Sequence, residues 1–166
     1  NLGGHQERER RGGTESVPQI AAFGRACEIA QQSMEASSAA VSQLRDRLEA
    51  KIAEIVPNVV FSGDRSHRLP NIANISFLGV EGEGLLINLD MQGVAVSTGS
   101  ACSSGSLEPS PVIRALGRSE DDARSAIRFS LGRFNTGEDI DRVIEVLPAA
   151  VENLRRLSPR SKMAKT

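Results

Sequence analysis

Residues 68–79 read RLPNIANISFLG, and their alternation decides the fold. Ala73, Ile75 and Phe77 fall on one side of an extended chain, with Asn74 and Ser76 on the other. That is the period-two pattern of a strand with one buried face. Residues 125–132, SAIRFSLG, repeat it: Ile127, Phe129 and Leu131 point inward, while Arg128 and Ser130 lie on the opposite face. One-sided strands belong to antiparallel sheets backed by helices, not to doubly wound parallel sheets covered on both faces. The expected class is α/β in the α+β sense: long helices followed by a small, mostly antiparallel sheet packed with helices.

Outward from these strands the elements alternate. TESVPQIAAFGRACEIAQQSM (14–34) offers a helix in which Ser16 and Gln19 have capping-box spacing and Pro18 sits in the first turn. Val17, Ile20, Gly24 and Cys27 share one face of it, so Cys27 reads as a small core hydrophobe. A second helix is expected over roughly 37–56, striped by Val41, Leu44, Leu48, Ile52 and Ile55 and stopped by Pro57. VVFSG (59–63) and VAVST (94–98) read as short strands, and EGEGLLINLDMQG (81–93) as a helix closed by Gly93. SPVIRALG (110–117) is a Pro-started helix, and Ser119 with Asp122 caps a further turn. Thr136 with Asp139 opens a last helix striped by Ile140, Val143, Leu147, Val151 and Leu154, in which Pro148 should cause a kink.

Composition narrows the function. The formal net charge of −1 gives no global attraction to nucleic acid or to an anionic membrane. Two cysteines make no disulfide framework, and they have no CxxC spacing for zinc, so a reducing cytoplasm is expected. No apolar run approaches the roughly 18–20 residues of a membrane span. With five Phe and no Trp or Tyr, the core must be mostly aliphatic. The glycine-bearing opening, without Met, reads as the interior of a larger protein, and SPRSKMAKT as a frayed tail.

Three places have residues suited to chemistry. STGSACSSGSLEP (97–109) surrounds Cys102 with small residues, between a strand and a Pro-capped helix. A nucleophilic thiol needs exposure, ionisation and reach, which such flanks supply. A linker with an incidental cysteine has the same composition, and both readings stand. Arg128 leaves the apolar face of its strand, where a guanidinium can grip a carboxylate bidentately or simply be solvated. In RERRGGT (8–14), two glycines before Thr14 can form a phosphate cradle, while the same residues also suit a charged loop with a helix cap. Glu7, Glu9 and Glu15 interrupt its basic run and weigh against nucleic acid. His5 and His67 are too isolated for a triad or a metal site.

Taken together, GGHQERERRGGTESVPQI, RLPNIANISF, LDMQGVAVSTGSACSSGSLEPSPVIRALG and IRFSLGRFNTGEDID resemble the pyridoxal-phosphate-dependent cysteine desulfurases of the NifS/IscS type. These segments occur in the family's order and cover most of residues 3–144. The long cysteine loop resembles the group that feeds iron–sulfur assembly, and ERERRGGTES resembles its nitrogen-fixation branch.

The resemblance implies the C-terminal part of a fold-type I enzyme. Residues 1–35 would end the large domain with an interface loop and helix, 36–157 would form the small domain, and 158–166 a disordered tail. It implies that Cys102 takes the sulfur of L-cysteine as a persulfide and passes it to an iron–sulfur scaffold or other acceptor protein. A transient iron–sulfur contact is the only metal role it suggests for that thiol. Arg128 would bind the substrate α-carboxylate, and Thr14 would reach the phosphate of pyridoxal 5'-phosphate in the partner subunit of a homodimer. The family prefers glycine where this chain has His5 and Glu9, which leaves that loop's backbone open.

The family's Ser-His-Lys cofactor site has no counterpart among Lys51, Lys162 and Lys165, and is expected shortly before residue 1. The chain alone is then expected to be inactive. Two alternatives remain: a non-catalytic interaction module, and a cofactor-free sulfur carrier of the rhodanese kind using Cys102. Thiol alkylation separates the latter, because autonomous transfer requires Cys102 to react faster than a model thiol.

Overall fold

A computed structural model describes residues 3–98 and 109–158. The chain forms two compact units, Asn1–Ser37 and Ser38–Thr166, and their boundary falls inside the first helix. That helix, α1 (Val17–Ile55), is continuous where the sequence suggested two. The reason is local: no glycine or proline occurs between Gly24 and Pro57, and the junction SMEASSAA contains good helix formers. Pro57 ends the run as expected, and Asn58 turns the chain at φ 55. Arg155 clamps this turn from across the fold, its Nη2 donating to the Asn58 carbonyl at 3.1 Å and its Nε to that of Leu78 at 3.0 Å.

In the first unit, the N-terminal half of α1 follows the loop 3–16. Cys27 is exposed, which corrects its reading as a core residue. Val17, Ile20, Phe23 and Met34 are exposed too. Helical spacing groups Val17, Ile20, Gly24 and Cys27 on one face, but among the described residues this unit contains no second element to bury it.

The second unit holds a four-stranded sheet of order β1-β2-β4-β3, antiparallel throughout. The strands are β1 (Val59–Phe61), β2 (Ile72–Phe77), β3 (Ser97–Thr98) and β4 (Ala126–Ser130). Only the end of the expected 94–98 strand pairs, because Val94 is instead buried among the helices. The alternation holds on the inward face, where Ala73, Ile75, Phe77, Ile127, Phe129 and Leu131 are all buried. Phe77 and Phe129 meet edge to face with centroids 6.5 Å apart, a contact of about 0.5–1.5 kcal/mol beyond area burial. The C-terminal half of α1, α2 (Gly82–Met91) and α5 (Gly137–Leu157) cover this face through Leu48, Ile52, Leu85, Leu89, Ile140 and Leu147. The helix assignment of α5 runs unbroken through Pro148.

The opposite face is only partly covered. Two short helices, α3 (Pro111–Ala115) and α4 (Glu120–Arg124), bring Ile113 and Ala123 onto Ala126. Ser76, expected on a polar face, is therefore fully buried and donates to the Asp122 carbonyl at 2.7 Å. Elsewhere on this face Arg128 and Ser130 are exposed, while Ser62, Asn74 and Ser97 are half-buried.

Two local devices yield predictions. Gly82 starts α2 so close to the end of α4 that an added Cβ would lie 2.7 Å from the Arg124 carbonyl oxygen. Gly82→Ala is expected to cost about 1–3 kcal/mol, read as a lower urea midpoint, because backbone rather than a flexible side chain must yield. At the start of α5, Asp139 Oδ2 accepts the Thr136 N–H at 2.9 Å and the Asn135 amide at 3.2 Å. These bonds, the Thr136 N–H first, hold the carboxyl below the usual aspartate range. The folded pKa is depressed, so the contribution is full above the unfolded value of about 3.9 and is lost as pH falls through the lower folded value. Asp139→Asn should flatten the stability profile below about pH 4, as measured by urea titration at several pH values.

Candidate functional site

Arg128 occupies the middle of β4 on the partly covered face of the sheet, and its side chain is exposed. Across the ladders it pairs with Asn74 on one side and Ser97 on the other. Ser62 extends the row beyond β1, donating its N–H to the Asn74 carbonyl at 2.9 Å. One polar row thus crosses the sheet: Ser62, Asn74, Arg128 and Ser97. The α3–α4 pair closes one end of this face at Ala126, and Ser130 lies toward the other. Among the described residues no hydrogen bond or ion pair engages the Arg128 guanidinium, so its fork of donors is available to an anion.

Sequence alternation placed Arg128 and Asn74 on outward faces, but not beside each other. Register depends on pairing between segments over fifty residues apart, for which single-sequence periodicity has no signal. Ser62 and Ser97 join them only through strand pairing as well. Cys102 lies outside the described residues, in the segment that follows β3.

Thr14 belongs to the first unit and is exposed. Gly13 precedes it at φ 97, with its N–H donated to Gln6 Oε1 at 3.1 Å. Glu7, Arg8 and Glu9 all adopt left-handed backbone, at φ 52, 56 and 66. The resemblance prefers glycine at Glu9, the residue that can hold such a φ without a Cβ penalty. His5 Nδ1 lies 3.0 Å from Glu9 Oε1, one tie across the turn.

Among the described residues no group of His, Cys, Asp and Glu could hold a metal ion. No helix there is long and apolar enough to cross a membrane.

A class-V aminotransferase model matches residues 4–143. The chain belongs to that family. The matched range includes Thr14, Cys102 and Arg128 and ends within α5. This class-V aminotransferase chain is 51% identical over 157 residues to the cysteine desulfurase NifS of Azotobacter vinelandii, spanning 95% of this chain and 39% of that protein. It is 49% identical over 158 residues to a cysteine desulfurase of Nostoc, spanning 95% and 40%. The X-ray structure of a NifS-like protein from Rickettsia africae superposes with a TM-score of 0.77 at 32% identity, covering 92% of this chain and 39% of that one. The chain therefore spans about 40% of the length of the curated relatives it matches.

The family implies pyridoxal phosphate, which needs a lysine amine to anchor it and donors for its phosphate. Lys51, the one lysine among the described residues, sits half exposed on α1 and donates to Glu54 at 2.9 Å. Thr14 suits the phosphate end, but Lys51 does not suit the anchoring end. The described residues do not make a resident cofactor site.

Proposed function

We propose that this chain supplies the substrate-carboxylate site and the sulfur-carrying thiol of a cysteine desulfurase, and that it lacks the anchoring half. The observation that supports this reading best is Arg128, exposed and unpartnered among the described residues, at the centre of a polar row on the strand next to β3. Bidentate guanidinium binding would fix the α-carboxylate of L-cysteine on that face. Cys102 follows Thr98 by four positions in the sequence. Thr98 is the neighbour of Ser97, which pairs with Arg128.

In the transfer itself the Cys102 thiolate attacks the substrate sulfur. An S–S bond forms, the substrate C–S bond breaks, and its electron pair stays on carbon, which takes a proton to give alanine. The persulfide then passes to an acceptor thiol of an iron–sulfur scaffold or similar protein. Small flanks suit that delivery, which a rigidly packed cysteine could not make.

Residues 1–35 are read as the end of the large domain and 36–157 as the small domain. The exposed Val17, Ile20 and Phe23 would then pack on the large domain. Thr14 would reach the cofactor phosphate of a homodimer partner.

The chain mixed with pyridoxal phosphate and L-cysteine is expected to carry no cofactor absorbance after gel filtration and to release no sulfide. Joined to a segment carrying the anchoring lysine, it is expected to do both. Sulfide release by the chain alone would overturn the division of labour.

A further inference from the structure

Asn74 stands opposite Arg128 in the β2–β4 ladder, at the centre of a four-stranded sheet. Asparagine is depleted in strands, because it packs poorly on a pleated surface and its amide needs partners. Here its Oδ1 is buried and has no hydrogen-bond partner among the described residues, and neither has Ser62 Oγ in the same row. Buried acceptors are paired in the great majority of native positions, so a standing orphan beside a candidate site calls for a partner that arrives with the ligand. The neighbour across the ladder has donors to spare. A guanidinium carries five N–H groups and no acceptor, and a bidentate carboxylate uses two of them.

We propose that Asn74 is a positioning residue for Arg128. When a substrate carboxylate draws the guanidinium over the polar row, Asn74 Oδ1 accepts one of the remaining N–H groups and fixes the plane of the fork. Being neutral, the amide holds the cation without competing for it as a carboxylate would. This rests on the reading of Arg128 as the carboxylate site.

The test uses Asn74→Leu, which keeps the branched shape and number of heavy atoms and removes the orphaned acceptor. In the intact, cofactor-loaded enzyme it is expected to raise KM for L-cysteine about 5- to 10-fold with kcat within about twofold, the pattern of lost ground-state binding. In the isolated chain its urea midpoint should be unchanged or higher, since no made hydrogen bond is lost. Arg128→Ala should raise KM about 10- to 100-fold, and adding Asn74→Leu to it should change nothing further. A KM rise in Arg128→Ala without one in Asn74→Leu, or additive effects of the two, overturns the positioning role and leaves the carboxylate reading standing. An unchanged KM in Arg128→Ala overturns both. A lower midpoint for Asn74→Leu shows that the amide already has a partner in the folded chain, and overturns the inference as well.

Discussion

Cys102→Ala in the intact enzyme is expected to lower sulfide release from L-cysteine by at least about 10³-fold, the scale of losing a nucleophile that no neighbour replaces. The other cysteine of this sequence is Cys27, on α1. Binding should survive the change, because the proposal assigns the carboxylate grip to Arg128. L-Alanine, which carries the same carboxylate, should therefore compete for the site in variant and parent alike. A further readout is direct. After one turnover, the parent's peptide containing Cys102 should gain the mass of one sulfur atom and lose it to a dithiol, while the alanine variant's peptide gains nothing. Sulfide release within tenfold of the parent would remove Cys102 from the chemistry and leave the cysteine as part of a linker.

Glu49→Ala is expected to have the largest effect on stability, about 3 kcal/mol. Glu49 sits on α1 with its side chain only 7% exposed, and its carboxylate receives both ends of the Arg68 fork, at 2.6 and 2.7 Å. Arg68 is itself mostly buried, and its Nε already lacks a partner. Removing the carboxylate leaves a desolvated cation whose remaining counter-charge, Asp46, is 3.6 Å away and already engaged by Arg45. Breaking a buried pair from one side costs about 3–5 kcal/mol, and the lower end fits because Arg68 keeps some exposure. The double change Glu49→Leu with Arg68→Met should recover most of the loss, since replacing both charges removes the uncompensated ion. Urea midpoints at constant slope measure both. A loss below about 1 kcal/mol for Glu49→Ala would mean that water reaches Arg68 and screens it. The pair ties the segment before β2 onto α1, so it also supports the strand that carries Asn74.

Much of the architecture was legible in the chain. Alternation in 73–77 and 127–131 identified two half-buried strands, and apolar stripes identified the helical faces that cover them. Gly93 at φ 80 and the Thr136–Asp139 bond stand where the caps were read. These features are set by residues within one or two turns of each other, so periodicity and spacing carry them in full. Segments resembling cysteine desulfurases also cover Thr14, Cys102 and Arg128, the residues to which the proposal assigns chemistry.

What the tertiary structure decided is of another kind. It set the register that aligns Ser62, Asn74, Arg128 and Ser97, and it buried Ser76 beneath α4. It also joined Glu49 to Arg68 and left Cys27 on an uncovered face. The row and the burial of Ser76 depend on which distant segment comes to lie alongside, and a one-residue slip in a strand would reverse both without altering any local pattern. Local periodicity says which face a side chain takes, whereas only long-range pairing says what stands opposite it.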